Sequence, residues 1–122
     1  MRIAMRLIFA KTRFELEEGN KTETRRFPKE KQIERWMSAW KKGSLVHEAW
    51  TGIAGWNENA ERIGYFELTA PPKLEPLCQM TQKNLKAEGG MCDNVEDFAA
   101  LVGHPVDAVA LVLRFKFLGK IW

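Results

Sequence analysis

This 122-residue chain is short of the residue types that would betray most small-protein chemistries. It has two cysteines, Cys78 and Cys92, too few for a disulfide framework or a four-cysteine zinc site. With its two histidines, His47 and His104, they would make four ligands, but no pair has metal-site spacing. We therefore expect no metal and no cofactor. The thiols read as ordinary buried cysteines and the imidazoles as incidental. No apolar run approaches the length of a membrane-spanning helix. Lys11 and Arg13 interrupt the apolar start too early for a signal peptide, so a cytoplasmic protein with no membrane partner is expected. No repeat, low-complexity tract or linker divides the chain, and 1–122 reads as a single domain.

What is there is a globular composition, 45% apolar, with an uneven charge. The net charge of +3 hides a surplus of five positive charges over residues 20–42, against a deficit of two over the rest. A basic third in a slightly acidic remainder attracts anions, nucleic acid being the usual one.

Within that third lies the most unusual stretch, Gly19-Asn20-Lys21-Thr22-Glu23-Thr24-Arg25-Arg26, with no apolar residue before Phe27. Read as a strand, it puts Lys21, Glu23 and Arg25 on one face and Thr22, Thr24 and Arg26 on the other. A β-prone but wholly polar strand is expected to line a solvated cavity or ligand groove. Arg25 and Arg26 are suited to bidentate phosphate contacts and Lys21 to a point-charge contact. Lys29, Lys31, Arg35, Lys41 and Lys42 would widen the patch, with Trp50, Trp56 or Tyr65 available to stack on a base. The plainer alternative is a solvated helix face with Arg–Glu pairs closing a barrel mouth. Lys21 and Thr24 would also make a base–nucleophile pair, provided a bulge brings them to one cavity and burial lowers the lysine pKa.

Around this stretch we expect a buried strand over 3–9 and a short helix from Lys11 or Thr12, with Phe14 and Leu16 inward, stopped by Gly19. Pro28 ends the polar strand 20–27. Ile33, Trp36, Met37 and Trp40 mark an amphipathic helix over 29–40, ended at Gly43. Strands follow at 45–50 and 62–69 with a loop over 51–61 between them, and an extended edge at 74–77. Thr81 and Asn94 cap two further helices, and Val109–Phe117 has the strongest strand signal. Five or six strands with short helices and no βαβ alternation indicate an α+β fold, a small mixed β-barrel.

The spacing Gly19-x-Lys21-Thr22-x-Thr24-x-Arg26 resembles the signature of the ASCH domain, a PUA-like barrel family. Lys42-Gly43-Ser44-Leu45-Val46 is similar to that family's turn into an apolar strand. Met80-Thr81 through Ala87-Glu88-Gly89, followed by the helix around Phe98, is similar to its helical part, so the resemblance covers most of the chain. It implies a closed or nearly closed barrel with helices capping its ends, and RNA or a small nucleoside as ligand. One branch of the family removes the acetyl group of N(4)-acetylcytidine with a Lys-x-x-Thr pair and a glutamate. That implies roles for Lys21, Thr24 and Glu88, with Thr24 as nucleophile, Lys21 as its activator and Glu88 orienting. The chain departs from that branch in its Arg25-Arg26 pair and in the insert carrying Trp36 and Trp40. A single-strand ribonuclease, as in other relatives, ranks lower because no histidine lies near the motif.

Overall fold

The computed structural model describes residues 5–52 and 58–120. Six strands and four α-helices alternate irregularly: β1 (Arg6–Ile8), α1 (Arg13–Glu17), β2 (Glu23–Arg26), α2 (Glu30–Lys41), β3 (Val46–Trp50), β4 (Arg62–Leu68), β5 (Lys73–Pro76), a 3-10 turn (Leu77–Gln79), α3 (Gln82–Ala87), α4 (Val95–Val102) and β6 (Val109–Gly119). The fold is α+β. Its mixed sheet runs β1-β3-β4-β6-β2, with β5 also on β6, and curls into a half-barrel. Only β1 and β3 pair in parallel among the described residues. Among the described residues no ladder joins β1 to β2, so the two end strands border an open seam.

β6 organises the sheet. Its first half pairs with β2 and β5, and its second half with β4. Alternation then sorts its side chains: Leu111, Leu113 and Phe115 join Phe9, Leu16, Trp36, Ile63 and Phe66 inside the half-barrel. Ala110 on the opposite face joins Leu77, Met80, Leu85, Phe98 and Ala99 under α3 and α4. Burial on both sides explains the continuous apolar run that opens this strand. Gly64 lets β4 approach β6 closely, since a Cβ there would lie 2.7 Å from both the Gly119 carbonyl oxygen and the Phe117 ring.

The helices obey local rules. In α2, Trp36 is buried and Ile33, Met37 and Trp40 pack against the core, while Glu30 and Lys41 sit at the ends the helix dipole favours. Thr81 and Asn84 form a reciprocal capping box on α3, and Asn94 accepts from the Asp97 N–H on α4. Phe14 departs from expectation. It is 74% exposed while Leu16 is fully buried, because residues two apart fall on opposite sides of a helix. Cys78 is exposed rather than buried. Residues 3 and 4 of the expected strand 3–9, and residues 53–57 of the expected 51–61 loop with Trp56, lie outside the described residues. No helix among the described residues is long and apolar enough to cross a membrane.

Candidate functional site

Gly19, at φ +81°, turns the chain out of α1. Residues 21 and 22 are tied down before pairing begins: the Lys21 N–H donates to the Glu15 carbonyl, and the Thr22 N–H to that of Ala87. β2 then runs beside β6 in continuous register, Glu23 opposite Arg114, Thr24 opposite Leu113, Arg25 opposite Val112 and Arg26 opposite Leu111. Thr24 and Arg26 therefore share the half-barrel face of Leu111 and Leu113. Glu23 and Arg25 face the α3 side.

The α3 side holds a closed network of charge. Lys21 Nζ donates to Glu88 Oε1 at 2.9 Å and to the Glu88 carbonyl at 2.6 Å. Arg25 Nη1 bridges Glu88 Oε2 at 3.1 Å and Glu23 Oε1 at 3.0 Å. Glu23 also accepts from Asn84 Nδ2 and from Arg114 Nε, and Arg114 reaches on to Glu75. Lys21, Glu23, Arg25 and Glu88 are all buried, so the polar strand is not solvated as its composition suggested. Each charge leaves water because a partner of opposite sign waits for it. Within this network, Arg25 Nη2 is buried without an acceptor among the described residues. Burial pulls the Lys21 ammonium below the ordinary lysine range. Glu88 opposes that shift, and Arg26 and Arg25 add to it.

The half-barrel side is arranged differently. Thr24 is buried, and its hydroxyl accepts from Arg26 Nε at 2.9 Å. Arg26 Nη2 crosses the seam to the Ile8 carbonyl at 2.6 Å, and the guanidinium lies 5.0 Å from the Phe9 ring centre. Beside it the seam opens into a cleft of about 280 Å³, lined by Met5, Arg6 and Leu7 on one lip, Arg26, Phe27 and Pro28 on the other, and Gln32 and Trp36 of α2 below. Burial lowers the Arg26 pKa from its ordinary value, with the Glu88 charge opposing.

One lip is held by His47. Its Nδ1 accepts the Met5 N–H at 2.9 Å and its Nε2 lies 3.0 Å from the Ser44 carbonyl, which fixes the Nε2–H tautomer. Burial against Trp36 holds this imidazole below its ordinary pKa, with the Ser44 carbonyl opposing.

The expected site residues are thus distributed over distinct places. Lys21 and Glu88 meet directly. Thr24 hydrogen-bonds Arg26 rather than Lys21, and no bulge interrupts β2. Arg25 is turned into the carboxylate network, whereas Arg26 lines the cleft. Trp50 lies on the outer face of β3, donating to Glu48 at 2.8 Å, with Arg6 stacked over it. Tyr65 lies under Arg62 on β4. Neither ring lines the cleft. The basic side chains Lys29, Lys31, Arg35, Lys41 and Lys42 are exposed, and no carboxylate lies within ion-pair distance of them among the described residues.

The residues not anticipated are Glu23 as a hub, Asn84, Arg114, Glu75, and the cleft residues Arg6, Phe27 and Gln32. Arg114 carried a signal, being a lone guanidinium between Leu113 and Phe115 in the most apolar strand. Such a residue needs a carboxylate nearby. Among the described residues no group of three or more metal-ligating side chains occurs. No protein-family model, curated protein or solved structure matches the chain.

Proposed function

We propose that this is an ASCH-type, PUA-like cytoplasmic protein that binds RNA or a modified nucleoside in the seam between β1 and β2. The observation that carries this reading is the composition of the cleft: the Arg26 guanidinium beside the half-buried Phe27 ring, with α2, whose exposed side chains include Lys29, Lys31 and Arg35, contributing Gln32 to the lining. Guanidinium and aromatic surfaces together suit a stacked base and its phosphate, and a basic helix beside them suits a continuing backbone. Titration with single-stranded RNA at two salt concentrations tests it. Affinity is expected to fall by about 0.7 log units per log unit of salt for each phosphate contacted. If neither RNA nor any nucleoside binds the folded chain, the reading fails.

A second reading is hydrolysis of an acylated pyrimidine nucleoside such as N(4)-acetylcytidine. Its support is the contact between Lys21 and Glu88 and the downward pull on the Lys21 pKa. Thr24 Oγ would attack the amide carbonyl while Lys21, once deprotonated, takes its proton and passes it to the amino group of cytidine as the C–N bond breaks. Water would then hydrolyse the acetyl ester on Thr24 to acetate. In the arrangement described Lys21 donates both of its hydrogen bonds to Glu88, and Thr24 is held by Arg26. Hydrolysis therefore requires these partners to exchange when substrate enters, which is why binding ranks first. Turnover of N(4)-acetylcytidine by wild type, abolished in Lys21→Ala and Thr24→Ala, would reverse that order.

A further inference from the structure

Charge balance around β2 narrows the ligand class. Lys21 lies 2.9 Å from the Glu88 carboxylate, Arg25 lies within 3.1 Å of Glu23 and Glu88, and Arg114 lies within 3.3 Å of Glu23 and Glu75. On the lip, Arg6 lies 3.3 Å from Glu48. Arg26 differs. Its acceptors are a hydroxyl and a backbone carbonyl, both neutral, and among the described residues no carboxylate comes within ion-pair distance. It is half-buried, with the guanidinium against the Phe9 ring. A purely structural staple between β1 and β2 needs only N–H donors, and a neutral side chain would supply those without the cost of desolvating a charge. The guanidinium leaves the cluster one positive charge in excess, and Arg26 lines the cleft.

Resting on the reading of the seam as a base-binding cleft, we infer that its ligand carries a phosphate seated on Arg26, making it a nucleotide rather than a neutral nucleoside. Arg26 Nε and Nη2 are held in place by Thr24 and Ile8, so the plane of the guanidinium is fixed, and among the described residues Nη1 has no acceptor. A phosphate there supplies the missing negative charge and a charge-assisted hydrogen bond. Arg25 contributes nothing to this seat, since its side chain is 1% exposed and engaged by two carboxylates.

Calorimetric titration of the full chain with cytidine, cytidine 5′-monophosphate, the dinucleotide CpC and inorganic phosphate, repeated with the adenine counterparts, tests the inference. For at least one base, the monophosphate or the dinucleotide is expected to bind about tenfold or more tightly than the nucleoside. Arg26→Gln is expected to erase that advantage, so that on the variant the nucleotide binds no more tightly than the nucleoside does. Preference for the monophosphate identifies a monoester ligand, and preference for the dinucleotide a diester within RNA. Both uphold the phosphate seat. Equal affinity for nucleoside and nucleotide overturns it and leaves the base-binding cleft standing. Phosphate binding that depends on Arg26 without any gain from a base upholds the seat and overturns base recognition. No binding by any probe overturns both. Should Arg26→Gln fail to fold, Arg26→Lys keeps the charge but loses the fixed plane. It must shrink the nucleotide advantage by severalfold, and an undiminished advantage overturns the assignment.

Discussion

The two faces of β2 carry the same kinds of residue and use them differently. On the α3 side, Lys21 and Arg25 are matched by Glu88 and Glu23 within hydrogen-bonding distance. On the half-barrel side, Arg26 has neutral acceptors and an open cleft. Adjacent arginines thus separate into one whose charge is spent within the fold and one whose charge is left for something else. A buried polar cluster is therefore read by asking which charge lacks a partner, rather than by how many charges it holds.

This contrast breaks most visibly at Glu88. Glu88→Ala removes the carboxylate from both Lys21 and Arg25, leaving two buried cations, and is expected to cost about 3–5 kcal/mol of stability. Urea unfolding measures it. A loss under about 1 kcal/mol would mean the network is hydrated, and the contrast between the faces would collapse.

Arg26→Ala should behave in the opposite sense. It removes two hydrogen bonds but also a half-buried charge with no carboxylate partner among the described residues, so stability is expected to change by about 1 kcal/mol or less while nucleotide affinity drops. A destabilisation as large as that of Glu88→Ala would make Arg26 a structural staple.

Acid sharpens the picture at the β1 lip. The folded pKa of His47 lies below its ordinary value of 6.5, so below about pH 6.5 the unfolded chain takes up a proton that the folded chain refuses. Stability contributed by neutral His47 is full above that pH. It declines as pH falls through the interval down to the folded pKa. Thermal unfolding across pH 7 to 4 is expected to show this decline, and His47→Gln to flatten it. An unchanged slope in that variant would remove His47 from the anchoring of Met5.

The smallest effect on stability is expected from Lys31→Ala with Arg35→Ala on the exposed face of α2. We expect each change to fall within about 0.5 kcal/mol. The salt dependence of RNA binding should nonetheless become shallower. An unaltered slope would confine the ligand to the cleft.

Much of this was legible from residue order. The alternation of Lys21, Glu23 and Arg25 against Thr24 and Arg26 is a property of any strand, and it correctly divided the two faces. The spacing of Ile33, Trp36, Met37 and Trp40, and the caps at Thr81 and Asn94, likewise follow from local geometry with near neighbours. Glu88 entered through resemblance, and the contact with Lys21 spans 67 positions.

What residue order left open depends on contacts between distant segments. Which of Arg25 and Arg26 faces a carboxylate was set by β2 lying against β6 in one register, with α3 laid over one side. The roles of Asn84, Glu75 and Arg114 arose the same way. So did the seam, because whether β1 and β2 close on each other depends on how far the whole sheet curls. The sequence by itself determined that a polar strand with two kinds of face would sit in an α+β domain, since side-chain alternation and capping act over a few residues. Only the tertiary structure decided which of its charges were neutralised, since electrostatic partners are chosen by proximity in space.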